Sequence, residues 1–200
     1  MKTAFCFDLD GTLTYEEILP MLAKEIDLYE EIKILTDITI NGSLSFTQSF
    51  KLRVKLLSEI LIPKAQELIL NVSLQKNVIN FIKNNKNDCF VITGNLDVWV
   101  DRLIREKIGC DYFSSKANFA DDKIIGISNI LQKDNAVLKI KNNYDRIVAI
   151  GDGMNDIPMF ENANISIAYG AFRNPNESLI KLATYVTYSE EGLCNILNTL

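Results

Sequence analysis

The 200-residue sequence contains no histidine. Histidine is the general base of Ser-His-Asp hydrolases, the nucleophile of histidine phosphatases and a ligand in most zinc sites, so we exclude these classes. No G-x-x-x-x-G-K-[ST] segment occurs, which argues against a Walker-type nucleotide site. Carboxylates, hydroxyl groups and lysines are the side chains that remain for chemistry.

Cysteine is scarce as well. The chain has four cysteines, Cys6, Cys89, Cys110 and Cys194. They form no C-x-x-C pair, and none is followed six positions later by arginine, which disfavours a thiol-nucleophile phosphatase. Scattered thiols in apolar, strand-like runs behave as small hydrophobic side chains. We therefore expect a reducing, cytoplasmic location.

Long apolar runs and an excess of positive charge are also missing. No apolar run approaches the roughly 18 residues of a membrane span, and the apolar stretch near the N-terminus is too short for a signal peptide. The net charge of −5 argues against nucleic acid and anionic membranes as partners. We expect a monomer or homodimer that binds neither nucleic acid nor a membrane.

Short apolar runs alternate with segments of helical periodicity over most of the chain. This pattern predicts an α/β fold, a doubly wound parallel sheet of Rossmann-like type, and the chain length suits one such core. The predicted strands are Thr3–Phe7, Cys89–Ile92, Arg146–Ile150, Ile165–Ala168 and Tyr185–Thr187. Predicted helices cover Ser73–Lys86 and Leu96–Lys107, a third begins near Asn174-Pro175, and a hairpin is expected between Asp111 and Leu131.

Residues 14–72 contain helical patterns but no convincing strand. Breaks fall at Asn41-Gly42 and at Pro63. We predict a small helical cap domain over 14–72, inserted after the first strand of a catalytic core formed by 1–13 and 73–200. Such an insertion lies over the carboxyl ends of the strands, where open α/β sheets bind ligands.

Polar clusters follow three of the predicted strands. They are Asp8-Leu9-Asp10-Gly11-Thr12, Thr93-Gly94-Asn95 and the segment GDGMND over 151–156. Asp8 and Asp10 project to the same side of an extended segment, where two charges 4 Å apart cost about 4 kcal/mol at an effective dielectric near 20. Such a pair persists where a cation lies between the carboxylates or one of them holds a proton. The three clusters therefore predict a site at one sheet edge.

Neither a calcium-binding loop nor a dinucleotide fingerprint fits the spacing of these motifs. An EF-hand loop needs glycine at position six and glutamate at position twelve, whereas Gly11 is fourth and Leu19 is twelfth. The Gly151-x-Gly153 pair resembles a dinucleotide fingerprint, but Asp156 stands where the third glycine belongs. A carboxylate there would repel a pyrophosphate.

A phosphate dianion near these aspartates requires a divalent cation and at least one ammonium group. Lys133, Lys139 and Lys141 are the candidates that precede the third cluster. Arg53 lies on the apolar face of a predicted helix, with Lys51 and Lys55 opposite. A buried arginine needs an anion, an internal ion pair or a path to solvent, and the sequence leaves these open.

D-x-D-G-T, a threonine after the second strand, a later lysine and G-D-G-x-N-D together resemble the haloacid dehalogenase-like superfamily. More narrowly, the chain is similar to phosphoserine phosphatases. Glu17 lies nine residues after Asp8, as in that family, and the segment FTQSFKLRV over 46–54 matches its substrate-binding segment around Arg53. The family's lysine begins the helix before the third motif, which selects Lys133.

The resemblance implies roles for the matched residues. Asp8 is the nucleophile of an aspartyl-phosphate reaction, and Asp10 is its general acid and base. Thr93 and Lys133 complete the catalytic set by binding phosphoryl oxygens.

The resemblance further implies Mg²⁺ as cofactor and a small phosphorylated metabolite as substrate. The metal-binding residues are Asp8, Asp10 (through its carbonyl), Asp152 and Asp156. The substrate-binding residues are Glu17, Arg53, Gly94, Asn95 and Asn155. In phosphoserine, Arg53 would bind the carboxylate and Glu17 the amine.

Two segments depart from the phosphoserine phosphatase pattern. Thr93-Gly94-Asn95 stands in place of Ser-Gly-Gly, and Gly170-Ala171-Phe172-Arg173 replaces a small-Ala-Lys-Pro turn. The alternatives are a phosphatase or phosphotransferase of the same fold with another substrate, such as phosphoethanolamine, or a non-enzymatic phospho-receiver. A receiver would place its acceptor aspartate mid-chain and would lack the helical insertion.

Overall fold

A computed structural model describes residues 1–200 and contains a single seven-stranded sheet. The strand order is β4-β3-β2-β1-β5-β6-β7. The strands are β1 (Thr3–Phe7), β2 (Cys89–Leu96), β3 (Asp111–Ala120), β4 (Lys123–Asn129), β5 (Arg146–Gly151), β6 (Ile165–Tyr169) and β7 (Tyr185–Thr187). All neighbours pair in parallel except β3 and β4, which form the antiparallel hairpin expected there. The α/β fold predicted from the sequence is confirmed.

Ten α-helices connect or cover the strands. They are α1 (Ile18–Ala23), α2 (Tyr29–Ile40), α3 (Phe46–Leu57), α4 (Ile62–Leu70), α5 (Lys76–Asn84), α6 (Asp97–Leu103), α7 (Lys133–Lys141), α8 (Ile157–Glu161), α9 (Glu177–Leu182) and α10 (Glu190–Leu197). None of these helices is both long enough and apolar enough to cross a membrane.

The sheet is buried on both faces, because alternate side chains of each central strand enter different cores. In β1, Phe5 and Phe7 belong to a cluster of 35 buried hydrophobic residues, whereas Ala4 and Cys6 belong to a cluster of 12 on the other face. A parallel sheet covered on both faces explains why these strands read as continuous apolar runs.

Several predicted boundaries differ from the structure, the most informative being those of β2, α5 and α9. The strand that begins at Cys89 continues past Ile92, because Leu96 pairs with Ser115 beyond an irregularity in the ladder. Thr93-Gly94-Asn95 therefore lies inside the irregular end of β2 and not after it. Helix α5 begins only at Lys76, three residues after the predicted start, since the preceding backbone pairs with the segment after β1.

The start of α9 also differs from its prediction. The N-cap is Asn176 and not Asn174, because the Asn176 side chain accepts a hydrogen bond from the Ser178 N–H (2.9 Å). Asn176 in turn donates its own N–H to the Asp152 carbonyl (3.1 Å), which fixes the chain at that point. Helix α6, in contrast, continues as a π-helical turn and ends at Gly109 in the left-handed conformation expected of a helix stop (φ 86°).

Residues 14–72 hold four of the helices, α1 to α4, and no strand. The segment leaves and rejoins the core through neighbouring backbone. Tyr15 donates to the Ser73 carbonyl, Gln75 donates to the Leu13 carbonyl, and Thr14 forms a β-bridge with Leu74. We propose on this basis that 14–72 is the inserted cap domain, with 1–13 and 73–200 as the core.

Helix α5 provides a test of the larger core. Ile82 is fully buried there, whereas the adjacent Lys83 is exposed. We expect Ile82→Ala to lower the free energy of unfolding by about 2–5 kcal/mol, because the deletion leaves a cavity in a packed interior. The matched variant Lys83→Ala should change it by less than about 0.5 kcal/mol. Urea denaturation measures both, and equal effects would contradict the assigned burial.

Candidate active site

The site lies at the carboxyl ends of three adjacent strands. β1 is central, β2 and β5 flank it, and their ends deliver Asp8, Thr93 and Asp152 to one sheet edge. The strand order makes these sequence-distant segments neighbours. The three polar clusters of the sequence therefore meet in space, as predicted.

A buried lysine links the first and third clusters. Lys133, the first residue of α7, donates to Asp8 Oδ1 (2.5 Å) and to Asp156 Oδ1 (2.6 Å). Burial alone would lower the pKa of Lys133, but Asp156 and Asp8 raise it above its ordinary value, so the ammonium stays charged. Lys139 and Lys141 do not take this place.

Asp8, Asp152 and Asp156 form a compact acidic triad. All three are buried, and one carboxylate oxygen from each lies within 4.8 Å of the others. Asp152 Oδ1 is buried without a hydrogen-bond partner. Burial and the neighbouring Asp156 raise the pKa of Asp8, whereas Lys133 lowers it, and burial raises the pKa of Asp152 well above its usual range. The charge of the triad is therefore not fully compensated, and a further cation beside it would be favourable.

The loop that carries Asp152 is shaped by Asp156. Asp156 Oδ2 accepts hydrogen bonds from the backbone N–H groups of Asp152 and Gly153, both at 3.0 Å. A Cβ on Gly151 would stand 2.5 Å from the Asp156 carboxylate, so only glycine fits there. Asp156 thus holds both the loop and Lys133, which explains why acid and glycine alternate in this motif.

Asp10 is held by two donors from different parts of the chain. The Ile18 N–H donates to Oδ1 (2.8 Å), and Asn95 Nδ2 donates to Oδ2 (2.6 Å). Burial, followed by the charges of Glu17 and Asp8, raises the pKa of Asp10 to about 8. A carboxyl group that has a fixed orientation and a pKa close to neutral pH can both donate and accept a proton.

Thr93 and Gly94 complete the core side of the site. Thr93 is buried and its hydroxyl accepts the Asn95 N–H (3.2 Å), which tightens the irregular end of β2. A side chain on Gly94 would collide with the ring of Phe46 on α3. The helical segment therefore lies directly against the core at this residue.

A cleft opens between the helical segment and the core. Asp8, Asp10, Gly94, Asn95, Asn155 and Arg173 line it from the core. From the helical segment it is lined by Glu17, Leu19, Thr36, Thr39, Ile40, Phe46, Phe50 and Arg53. Seven of the predicted site residues thus line one cleft. Lys133, Asp152 and Asp156 lie around Asp8, and Thr93 precedes Gly94 in β2.

Arg53 enters the cleft from the buried face of α3. Only 4% of it is exposed, so it does not reach solvent, and it makes no ion pair with an internal carboxylate. Its one hydrogen bond runs from Nη1 to the Thr36 hydroxyl (3.0 Å), while Nε is buried without a partner. Burial lowers the pKa of Arg53 below its ordinary value, although Glu17 and Asp10 oppose this. An anionic ligand would satisfy this guanidinium.

Glu17, in contrast, already has a cationic neighbour. Arg173 Nη1 lies 2.7 Å from Glu17 Oε1, and Arg173 Nε donates to Asp152 Oδ2 (2.5 Å). From the sequence, Arg173 was noted only as part of a departure from the phosphoserine phosphatase pattern, and no role was predicted for it. The contact of Asn95 with Asp10 was likewise not foreseen. Both contacts join residues that are far apart in the chain.

A family model of haloacid dehalogenase-like hydrolases matches residues 2–164. The chain belongs to this family. It is 34% identical over 183 residues to the phosphoserine phosphatase of Methanocaldococcus jannaschii, covering 85% of this chain and 86% of that protein. It is 29% identical over 188 residues to that of Streptococcus thermophilus, covering 86% and 85%.

Solved structures agree with this haloacid dehalogenase-like assignment. A phospho-aspartyl intermediate analogue of phosphoserine phosphatase superimposes with a TM-score of 0.84 at 30% identity, covering 100% of this chain and 98% of that one. A substrate-bound phosphoserine phosphatase complex gives 0.84 at 29% identity with the same coverage. The chain is therefore a phosphatase of the family, and the resemblance noted in the sequence is confirmed.

The raised pKa of Asp10 predicts how stability depends on pH without divalent metal. A carboxyl whose folded pKa exceeds the unfolded value of about 3.9 stabilises the fold fully only below that value, and this contribution is lost as pH rises toward 8. We expect the free energy of unfolding in EDTA to fall between about pH 5 and pH 8, by up to about 1.4 kcal/mol per pH unit for one such group. Asp10→Asn should flatten this slope in urea titrations; an unchanged slope would contradict it.

Proposed function

We propose that this phosphatase hydrolyses small phosphomonoesters that carry a carboxylate, with phosphoserine as the reference substrate, through an aspartyl-phosphate on Asp8. The reaction would depend on Mg²⁺. One observation carries the proposal: Asp8, a member of the lysine-linked acidic triad, and the buried Arg53, which has no ion-pair partner, line the same small cleft. Cytoplasmic location remains a prediction from the sequence.

The donor set of the triad fits Mg²⁺. All candidate ligands are oxygens, as this cation prefers, and the buried Asp152 Oδ1 has no other partner. Asp8, the Asp10 carbonyl and Asp152 would hold the ion, with Asn155 and Asp156 supporting them. When bound, Mg²⁺ would neutralise charge on the phosphoryl group and so reduce its repulsion by the Asp8 carboxylate.

Asp8 is the proposed nucleophile because it faces the cleft and is held by Lys133. Its carboxylate oxygen forms a bond to phosphorus while the ester oxygen leaves, and water later cleaves the resulting acyl phosphate. The Thr93 hydroxyl, the Gly94 N–H and Lys133 are proposed to bind the equatorial phosphoryl oxygens, where charge accumulates. Each of these groups comes from the core.

Asp10 is the proposed general acid and base. With a pKa of about 8 it retains a proton at neutral pH and can give it to the leaving alkoxide, and the carboxylate then accepts a proton from the attacking water. The Ile18 N–H and Asn95 Nδ2 orient the carboxyl group for both steps. Asn95 thus supports the reaction from the position where the family pattern has glycine.

Arg53, with Glu17 and Asn155 nearby, is proposed to recognise the part of the substrate beyond phosphate. The guanidinium is buried, charged and without an acid partner, so a substrate carboxylate would meet it with little competition from solvent. Closure of the helical segment over the core would exclude water during the reaction.

Replacement of the nucleophile tests the proposed chemistry. Asp8→Asn should lower kcat by more than about a thousandfold, because an amide cannot form the acyl phosphate. Asp111→Asn, at an exposed aspartate remote from the cleft, is the matched control and should keep full activity. The measurement is phosphate release from phosphoserine and 4-nitrophenyl phosphate.

The same assays, run with EDTA and after addition of Mg²⁺, test the metal. Activity that persists in Asp8→Asn would exclude the nucleophile assignment. Full activity of the wild type in EDTA would exclude the metal and leave the nucleophile in place. Circular dichroism of each variant establishes that the fold is retained.

Truncation of Arg53 tests the substrate class. Arg53→Ala should reduce kcat/KM for phosphoserine at least about thirtyfold more than for 4-nitrophenyl phosphate, because only the former has a carboxylate to lose its partner. Lys51→Ala, an exposed cation on the same helix, is the control and should affect neither. Equal losses on the two esters, or a wild type that prefers phosphoethanolamine, would contradict recognition of a carboxylate.

A further inference from the structure

Arg173 lies where the helical segment and the core meet. It belongs to the loop between β6 and α9, in the segment where the sequence departs from the phosphoserine phosphatase pattern. Its guanidinium reaches Asp152 of the core with Nε and Glu17 of the helical segment with Nη1, at 2.5 and 2.7 Å. Only 24% of its side chain is exposed, so the guanidinium is held between these two carboxylates with little access to solvent.

The pairing leaves the cleft with an uneven set of charges. Glu17 is the one acidic side chain that residues 14–72 contribute to the cleft lining, and it already forms an ion pair with Arg173 (2.7 Å). Arg53, the one cation from the same segment, has no acid partner. The substrate-facing side therefore offers free positive charge and little free negative charge. A substrate carboxylate complements this positive charge, whereas a substrate ammonium group would gain little binding free energy there.

We propose that Arg173 is a specificity-determining residue. It weakens the attraction of Glu17 for a substrate ammonium, so that the enzyme selects its phosphomonoesters by their carboxylate and is nearly indifferent to an amine. This inference rests on the proposed function, since it concerns the substrate of the same cleft. Phosphorylated hydroxy acids without an amino group are then substrates on a par with phosphoserine.

Two substrates that differ only in the amine provide the test. Phosphoserine and 3-phosphonooxypropanoate share the phosphate, the carbon chain and the carboxylate. In the wild type their kcat/KM values should agree within about threefold, a difference of less than about 1 kcal/mol. In Arg173→Gln, Glu17 is released, and the preference for phosphoserine should rise to at least about tenfold.

Further variants separate specificity from structural support. Glu17→Gln should leave the wild-type ratio unchanged, and the double variant Arg173→Gln/Glu17→Gln should return it to the wild-type value. Arg173→Lys keeps a charge beside Glu17 and should stay near the wild-type ratio. Arg105→Gln is the matched control, because Arg105 pairs with an exposed aspartate on the surface (2.6 Å) and should change nothing.

The second contact of Arg173, its hydrogen bond to Asp152, needs a separate measurement. Calorimetry of Mg²⁺ binding without turnover shows how each variant changes the affinity for the metal. In Arg173→Gln, loss of the hydrogen bond to Asp152 alters the affinity for Mg²⁺ equally in assays of either substrate. This effect therefore cancels in the ratio of the two kcat/KM values. Hydrolysis of 4-nitrophenyl phosphate gives the common reference for each variant. A residue that only braced the loop would lower all three activities in parallel.

The outcomes distinguish the inference from the proposed function. A wild type that favours phosphoserine more than about tenfold, with the same ratio in Arg173→Gln, overturns the inference and leaves the function intact. If Arg173→Gln lowers the hydrolysis of all three esters in parallel, so that the ratios of their kcat/KM values stay unchanged, the inference is overturned as well. A wild type that cleaves 4-nitrophenyl phosphate but neither carboxylate-bearing ester overturns the proposed substrate class and the inference with it.

Discussion

The hydrogen bonds of Lys133 to Asp8 and Asp156 are the interaction on which the site depends. Three buried carboxylates at one sheet edge repel one another by several kcal/mol per pair at close range, and a single ammonium group between them offsets part of that cost. It also connects α7 to the loops after β1 and β5. The position of Asp8, the proposed nucleophile, is thus set by charge compensation as much as by the backbone that carries it.

The residues proposed for chemistry and those proposed for recognition come from different parts of the chain. The residues proposed to act on phosphorus follow strands of the core, whereas Arg53, Glu17 and the aromatic lining belong to 14–72. The central strands that carry these residues are buried on both faces, which suits groups that must be held in position. The lining that residues 14–72 contribute could change without disturbing them, because function depends on the site and not on the fold.

Sequence reasoning succeeded where a local pattern had a single spatial meaning. Strand-end aspartates had to converge because parallel strands end at one edge, and the helical period placed Arg53 on the buried face of α3. It failed where a contact joins distant segments. The extension of β2 depends on its pairing with β3, and the pairs Asn95 with Asp10 and Arg173 with Glu17 depend on loop geometry. No periodicity or spacing encodes such contacts.

The contact of Gly94 with Phe46 has a consequence for how this chain can diverge. The ring covers the bare backbone of the glycine, so a methyl group at 94 requires the Phe46 ring to move or a smaller side chain to replace it. The two positions are 48 residues apart, in different parts of the molecule, yet the size of one side chain limits the size of the other. A descendant with a larger residue at 94 should therefore have a smaller or displaced side chain at 46.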